Sequence, residues 1–184
     1  MSDYRRRKQF IDFMSNGIPS VQAENLANQL DRLGFFEAPA SISHHGNVPG
    51  GLFDHSLCVA TCLVNLTERL ELKWQRKRSP YIVGMLHDLC KVDNYVKCPA
   101  GVDPEHWEYN NAQIITGHGE KSVIMVQQLG IALTGEEIAA IRWHMGAFDD
   151  NKQHWNNYGR ACTVYPNVLF THTADMMAAR IFQI

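Results

Sequence analysis

Hydrophobic residues recur at helical intervals along almost the whole of this chain, and several of those apolar stretches are interrupted by a single histidine or aspartate. Residues 19–33 open with Pro-Ser and place Val21, Leu26, Leu30 and Leu33 at near-helical spacing. A turn-rich loop ending in Pro49-Gly50-Gly51 follows. Residues 52–73 then carry Leu52, Leu57, Val59, Ala60, Leu63, Val64, Leu66 and Leu70, which predicts a long core-facing helix. The next helix begins near Pro80, where proline suits a first turn, and runs YIVGMLHDLCKV. Residues 94–117 read as irregular, with room for a short hairpin built from WEYN and QIIT. Helices resume over 118–129 and 135–145, the latter opened by Thr134 with Glu136 and Glu137 behind it. The Asn-rich residues 146–164 read as a loop, and 166–182 as a last amphipathic helix. The expected class is all-α, a single-domain helical bundle.

Composition narrows the functional classes. With 45% hydrophobic and 20% charged residues among 184, the chain is globular rather than disordered or fibrous. A formal net charge of -2 argues against binding nucleic acid through bulk electrostatics, so a phosphate-bearing substrate needs a few local cations or a metal. Arg5-Arg6-Arg7-Lys8 reads as a solvated helix face. The cysteines at 58, 62, 90, 98 and 162 are odd in number and lack CxxC spacing, which favours free thiols in a reducing compartment. No apolar h-region follows the basic residues of MSDYRRRKQF, and no run approaches the ~18 apolar residues of a membrane span. A cytoplasmic protein with no membrane partner is the expectation.

The interruptions carry the chemistry. His87-Asp88 lies in the apolar run YIVGMLHDLCK, where an unpaired carboxylate is costly to bury. A divalent cation removes that cost, because carboxylate and neutral imidazole both ligate zinc, iron or manganese. Alone, the dipeptide reads as a helix-end aspartate beside a hydrogen-bonded core histidine. It is joined by His55 in GGLFDHSLCVA, His118 in TGHGEKS, His144 in IRWHMGAF and Asp175 in HTADMMAAR. Metal is the one partner able to use all six.

The order His, His-Asp, His, His, Asp resembles the HD-domain superfamily of metal-dependent phosphohydrolases in its two-metal form. Gly50-Gly51-Leu52-Phe53-Asp54-His55-Ser56 looks like the family's first-histidine helix, His87-Asp88-Leu89-Cys90-Lys91 is similar to its HD-x-x-K signature, and Ala174-Asp175-Met176 looks like its closing aspartate. The likeness covers roughly residues 50–182. It implies an HD-type helical domain over 50–184; residues 1–49 fall outside the likeness and read as a helical extension packed on that core. The Gly-Gly-Leu-x-x-His-Ser phrase also occurs in HD domains of a 3′–5′ exoribonuclease type, but no nucleic-acid-binding domain is read ahead of it here.

The resemblance further implies one or two divalent ions per chain (Fe, Mn, Ni, Co, Zn or Mg). His55, His87, Asp88 and Asp175 would hold the first, and Asp88, His118 and His144 the second. The implied activity is hydrolysis of a phosphomonoester or phosphodiester in a nucleotide or similar small metabolite, by a metal-activated hydroxide. Asp88 and Lys91 are the implied catalytic groups. Lys91, Lys121 and Arg142 are the candidate substrate-binding cations, with Arg142 and Arg180 also readable as exposed, salt-bridged arginines. His44-His45 reads as a solvent-exposed loop pair, with a rim role in substrate binding as the alternative, His172 as orienting Asp175, and Trp143, Phe148, Trp155 and Tyr158 as pocket or loop packing. His106 and His154 receive no role. The same six-ligand order serves HD-type di-iron oxygenases, which stay open as the alternative. A non-enzymatic HD module is disfavoured because all six ligands are present, and a cyclic-dinucleotide phosphodiesterase is not supported, since no GYP-type motif follows.

Overall fold

The computed structural model describes residues 3–42, 48–98, 107–146 and 155–184. Helix α1 (Asp3–Met14) turns Phe10 and Met14 inward, and α2 (Ser20–Arg32) buries Ala23, Leu26, Ala27 and Leu30. That i, i+3, i+4, i+7 stripe faces the core, so Val21 and Leu33, placed in the stripe by sequence spacing, lie instead on the open side at 69% and 40% exposure. Helix α3 (Gly51–Arg69) packs closely along α4 (Ser79–Leu86). Helix α5 (Lys91–Asn94) leads into a two-stranded antiparallel ribbon, β1 (Tyr95–Lys97) and β2 (Trp107–Tyr109). Helices α6 (Gly119–Gln128), α7 (Gly135–Arg142), α8 (Trp155–Val164) and α9 (Asn167–Met176) complete the bundle, and α9 runs on into a π-helical turn, Met177–Phe182. The all-α expectation holds. Among the described residues, no helix is long and apolar enough to cross a membrane.

Two apolar clusters meet along α3 and α4. The first gathers α1, α2, α3 and α4 around Phe10, Phe35, Phe36 and Phe53, whose rings pack mainly edge to face, with Phe10 and Phe36 centroids 5.8 Å apart. Residues ahead of position 49 therefore share a core with α3 and α4. The second joins α3 and α4 to α6, α7 and α9 through Val59, Leu63, Val83, Val123, Ile141 and Val168. Arg6 is buried rather than solvated: Nη2 donates to the Pro49 carbonyl at 2.8 Å and lies 3.2 Å from Asp54 Oδ2. It ties α1 to the start of α3, one residue before His55.

Local chemistry sets the ends of elements. Thr134 Oγ1 accepts the Glu137 N–H, and the Glu137 carboxylate accepts the Thr134 N–H at 2.7 Å, a capping box that starts α7. Glu137 also accepts from Ser79 Oγ at 2.9 Å, fixing α7 against the start of α4. Several expected boundaries move. The long helix predicted over 52–73 stops at Arg69, and the stretch through HDLCKV breaks after Leu86. Residues 155–164, read as loop, form α8, because Tyr158, Ala161, Cys162 and Tyr165 supply a helical stripe to the second cluster between the asparagines. The hairpin exists, but WEY pairs with YVK rather than with QIIT.

Candidate metal centre

Each site residue sits at an end of a helix or one turn from it, and the ends converge. His55 lies in the first turns of α3, His118 is the residue before α6, His144 follows the end of α7, and Asp175 closes α9. His87 and Asp88 do not lie on an α-helix, as the sequence suggested. They occupy a tight turn after α4 held by i→i+3 bonds, Leu89 N–H to Leu86 O at 3.2 Å and Lys91 N–H to Asp88 O at 3.0 Å. This narrower coil stacks residues three apart, which sets Lys91 over Asp88 with Nζ 2.6 Å from Oδ2.

The two oxygens of Asp88 face different groups. Oδ2 lies 3.6 Å from His55 Nε2 and 3.5 Å from His87 Nε2, while Oδ1 lies 2.7 Å from His118 Nε2 and 3.2 Å from His144 Nε2. Asp175 Oδ1 stands 3.1 Å from His55 Nε2 and 3.8 Å from His87 Nε2. His87 and His144 are fully buried, and Asp88 and Asp175 are 2% and 7% exposed.

The far nitrogen of each ring is already committed. Nδ1 of His55, His87 and His144 meets the carbonyls of Ile184, Gly84 and Ile141 at 2.9, 2.8 and 2.7 Å. Nδ1 of His118 meets Cys90 Sγ at 3.6 Å. A carbonyl can only accept, so three rings carry a proton on Nδ1, and each of them, when neutral, points its Nε2 lone pair at the centre. All four Nε2 atoms and Asp88 Oδ1 are buried without a hydrogen-bond partner. Leaving five such atoms unpaired is costly, and divalent cations satisfy them together. Ligand atoms of His55, His87 and Asp175, of His87, Asp88 and His144, and of Asp88, Cys90 and His118 cluster tightly enough to hold metal.

Protonation in the metal-free protein reflects the same crowding. Burial pushes His87 down to about 3, against the pull of Asp88. Burial also works on His55 and His118, but the neighbouring carboxylates override it and raise both. Burial pushes Asp175 up, yet His55 and the other imidazoles bring it down to about 2. The signs give a pH profile for chelator-treated protein. His87 stays neutral in the fold while the unfolded chain protonates near 6.5, so stability falls as pH drops from 6.5 toward about 3. Asp175 adds to that loss as pH falls from its ordinary 3.8 toward about 2. His55 and His118 contribute in full below 6.5 and lose that contribution as pH rises through their raised folded values. Urea unfolding of the metal-free protein is expected to show maximal stability near pH 6 to 7, roughly the unperturbed histidine value. Stability that does not fall between about pH 6 and 4, or that still rises above about pH 7, would contradict these assignments.

The remaining expected residues divide. Lys91 lines the cleft beside the centre. Lys121 does not: it is 1% exposed and bound to Asp93 at 2.6 Å, Gln113 at 2.6 Å and Asn94 at 3.0 Å, on the α5 side of α6. Arg142 pairs with Glu120 and lies 4.1 Å over the Trp143 ring, also away from the cleft lining. His172 bonds the His144 carbonyl at 2.7 Å instead of Asp175, bracing the backbone that carries a centre histidine. Trp143 and Tyr158 pack against the second cluster, and Trp155 is half exposed. His44, His45, His106, Phe148 and His154 lie outside the described residues. The sequence reading missed Cys90 beside His118, and Tyr95, Tyr109 and Ser41 on the cleft wall; Arg180, read as an exposed arginine, joins them there. Period-two spacing in YVK and WEY was the available signal for the tyrosines.

The chain is similar to the dihydroneopterin 2′,3′-cyclic phosphate phosphodiesterase of Methanocaldococcus jannaschii, with 29% identity over 119 residues. The matched stretch covers 63% of this chain and 46% of that relative, so the chain spans about half the length of the protein it resembles. No family model matches the chain, and no solved structure matches it significantly.

Proposed function

We propose that this chain is a metal-dependent phosphohydrolase of HD type, acting on a phosphomonoester or phosphodiester of a small, nucleotide-like metabolite. The observation that carries this reading is the convergence of four unpartnered Nε2 atoms on two buried carboxylates, with the two oxygens of Asp88 facing different histidine pairs. The likeness to a named cyclic-phosphate phosphodiesterase supports the reaction class. His55, His87, Asp175 and Asp88 Oδ2 would hold one ion, and His118, His144 and Asp88 Oδ1 a second. When bound, such ions supply an acidified water and positive charge for the phosphoryl oxygens.

The protein's own residues do the rest. The Nδ1 contacts hold the rings as neutral ligands with the lone pair forward, so little reorganisation precedes binding. Burial pushes the Lys91 amine down, but Asp88 more than offsets this and keeps it an ammonium. From the cleft wall that ammonium neutralises an oxygen of the substrate phosphate. Burial around His87 and His144 excludes bulk water, which strengthens each of these charges.

The test is hydrolysis by chelator-free protein over nucleoside monophosphates, 2′,3′-cyclic nucleotides and a generic phosphodiester, with Mn, Fe, Ni, Co, Zn or Mg added singly. Metal-dependent release of phosphate or nucleotide, abolished in His87→Ala, is the expected result. Oxygen consumption by di-iron protein without hydrolysis would replace this reading with an oxygenase.

A further inference from the structure

The cleft beside the centre encloses about 470 Å³, more than a bare phosphate fills and within the range of small-molecule sites. Apart from the centre's own residues, its walls include Ser41, Lys91 and Met145 together with residues of the β1–β2 ribbon and of the π-helical turn after α9. The ribbon contributes Tyr95 and Tyr109, and the turn contributes Arg180.

Tyr95 and Tyr109 are directly opposed in the antiparallel register, so both rings stand on one face of the ribbon. Their centroids are 5.5 Å apart with the planes inclined by 49°. Tyr95, 9% exposed, supports Tyr109, which is 57% exposed and keeps ring surface open at the cleft. The next residue anchors the strand: Asn110 N–H donates to the Asn94 carbonyl at 2.9 Å, and Asn110 Nδ2 to the Asp93 carbonyl at 2.9 Å. Tyr109 is thus an open aromatic surface on a fixed mount, paired across the ribbon with Tyr95, and it lines the same cleft as Lys91.

Arg180 has the complementary property. It is exposed and lines the same cleft, and its side chain makes no ion pair or hydrogen bond with any described residue, whereas Lys91 is already engaged by Asp88. A guanidinium is suited to grip two oxygens of one phosphate.

We propose that Tyr109 and Arg180 set substrate choice: the cleft takes a phosphate ester whose alcohol bears a planar heteroaromatic ring, the ring stacking on Tyr109 while Arg180 holds a phosphate oxygen. This rests on the phosphohydrolase reading for its ligand class. It goes beyond that reading in requiring the ring, which the metal centre alone does not.

The experiment separates the two by reading affinity rather than turnover. Calorimetric titration of metal-loaded protein compares adenosine 5′-monophosphate with ribose 5-phosphate, which has the same phosphate and sugar without the base. The expected preference for the ring-bearing ester is roughly tenfold or more, the usual effect of one base on one aromatic side chain. Tyr109→Ala and Tyr109→Leu are expected to bring adenosine 5′-monophosphate to the affinity of ribose 5-phosphate and leave the latter unchanged. Tyr109→Phe keeps the preference, and Arg180→Gln weakens both ligands by a similar factor. Equal wild-type affinities, no binding of either ester, or an unchanged preference in both the Ala and Leu variants overturns the inference. Binding with the expected preference but no hydrolysis of any ester upholds it and removes the phosphohydrolase reading. Hydrolysis with no ring preference does the reverse.

Discussion

Asp88→Asn is expected to lower kcat/KM by on the order of 10³-fold or more, equivalent to about 4 kcal/mol of transition-state stabilisation. The substitution keeps the shape of the side chain and removes the charge on which both histidine pairs converge. The amide presents one oxygen where the carboxylate presents two, so one face loses its ligand atom and faces NH₂ instead. The Lys91 ammonium, 2.6 Å from Oδ2, loses its counter-charge at the same time. Metal content should fall with activity while the far-UV circular dichroism stays that of a helical protein. A variant that keeps both full metal content and activity would show that Asp88 is a structural carboxylate.

Gly84→Val should lower stability by about 3 kcal/mol, at the upper end for overpacking. A Cβ at position 84 would lie 2.4 Å from Ala60 Cα, 2.9 Å from Ala60 Cβ and 3.0 Å from Ala60 N. The nearest atom is backbone, so no rotamer change relieves the contact and α3 must move away from α4. His55 lies on α3 and His87 just beyond α4, their ring centroids 5.4 Å apart, so the same movement opens the centre. Urea denaturation is expected to show a lower midpoint, and metal content should drop with it. Trimming the partner, Ala60→Gly in the Gly84→Val background, should restore only part of the loss, because the Ala60 Cα remains. Wild-type stability in Gly84→Val would mean that the helix crossing is looser than these distances require.

How far the site was legible in advance depended on the kind of signal each part carries. The six centre residues stood out because a histidine or aspartate in an apolar run is anomalous whatever the exact backbone, and the structure brings all six together. The backbone at His87-Asp88 was not legible, since a run of apolar residues looks alike in an α-helix and in the i→i+3 turn observed. Helix α8 was masked by Asn156, Asn157 and Gly159, whose poor helix propensity is overridden by packing of Tyr158, Ala161 and Cys162. Lys121 was placed by its three-residue spacing from His118, which fixes the helix face but not which partner a long side chain finds, and Arg142 by its charge alone. In the fold, Asp93 and Glu120 take them. Tyr109 and Arg180 lie far from one another in sequence and meet one cleft only through the ribbon and the π-helical turn, so no local pattern could pair them.

The central claim is that the buried histidines and aspartates form a metal centre, and elemental analysis of protein purified without chelator tests it most directly. The account predicts about two divalent ions per chain, the stoichiometry of a binuclear hydrolytic site, falling sharply in both His87→Ala and Asp88→Asn. Well-folded protein with no bound metal under any divalent-ion supplement would contradict it, and would leave four histidine nitrogens buried without a partner.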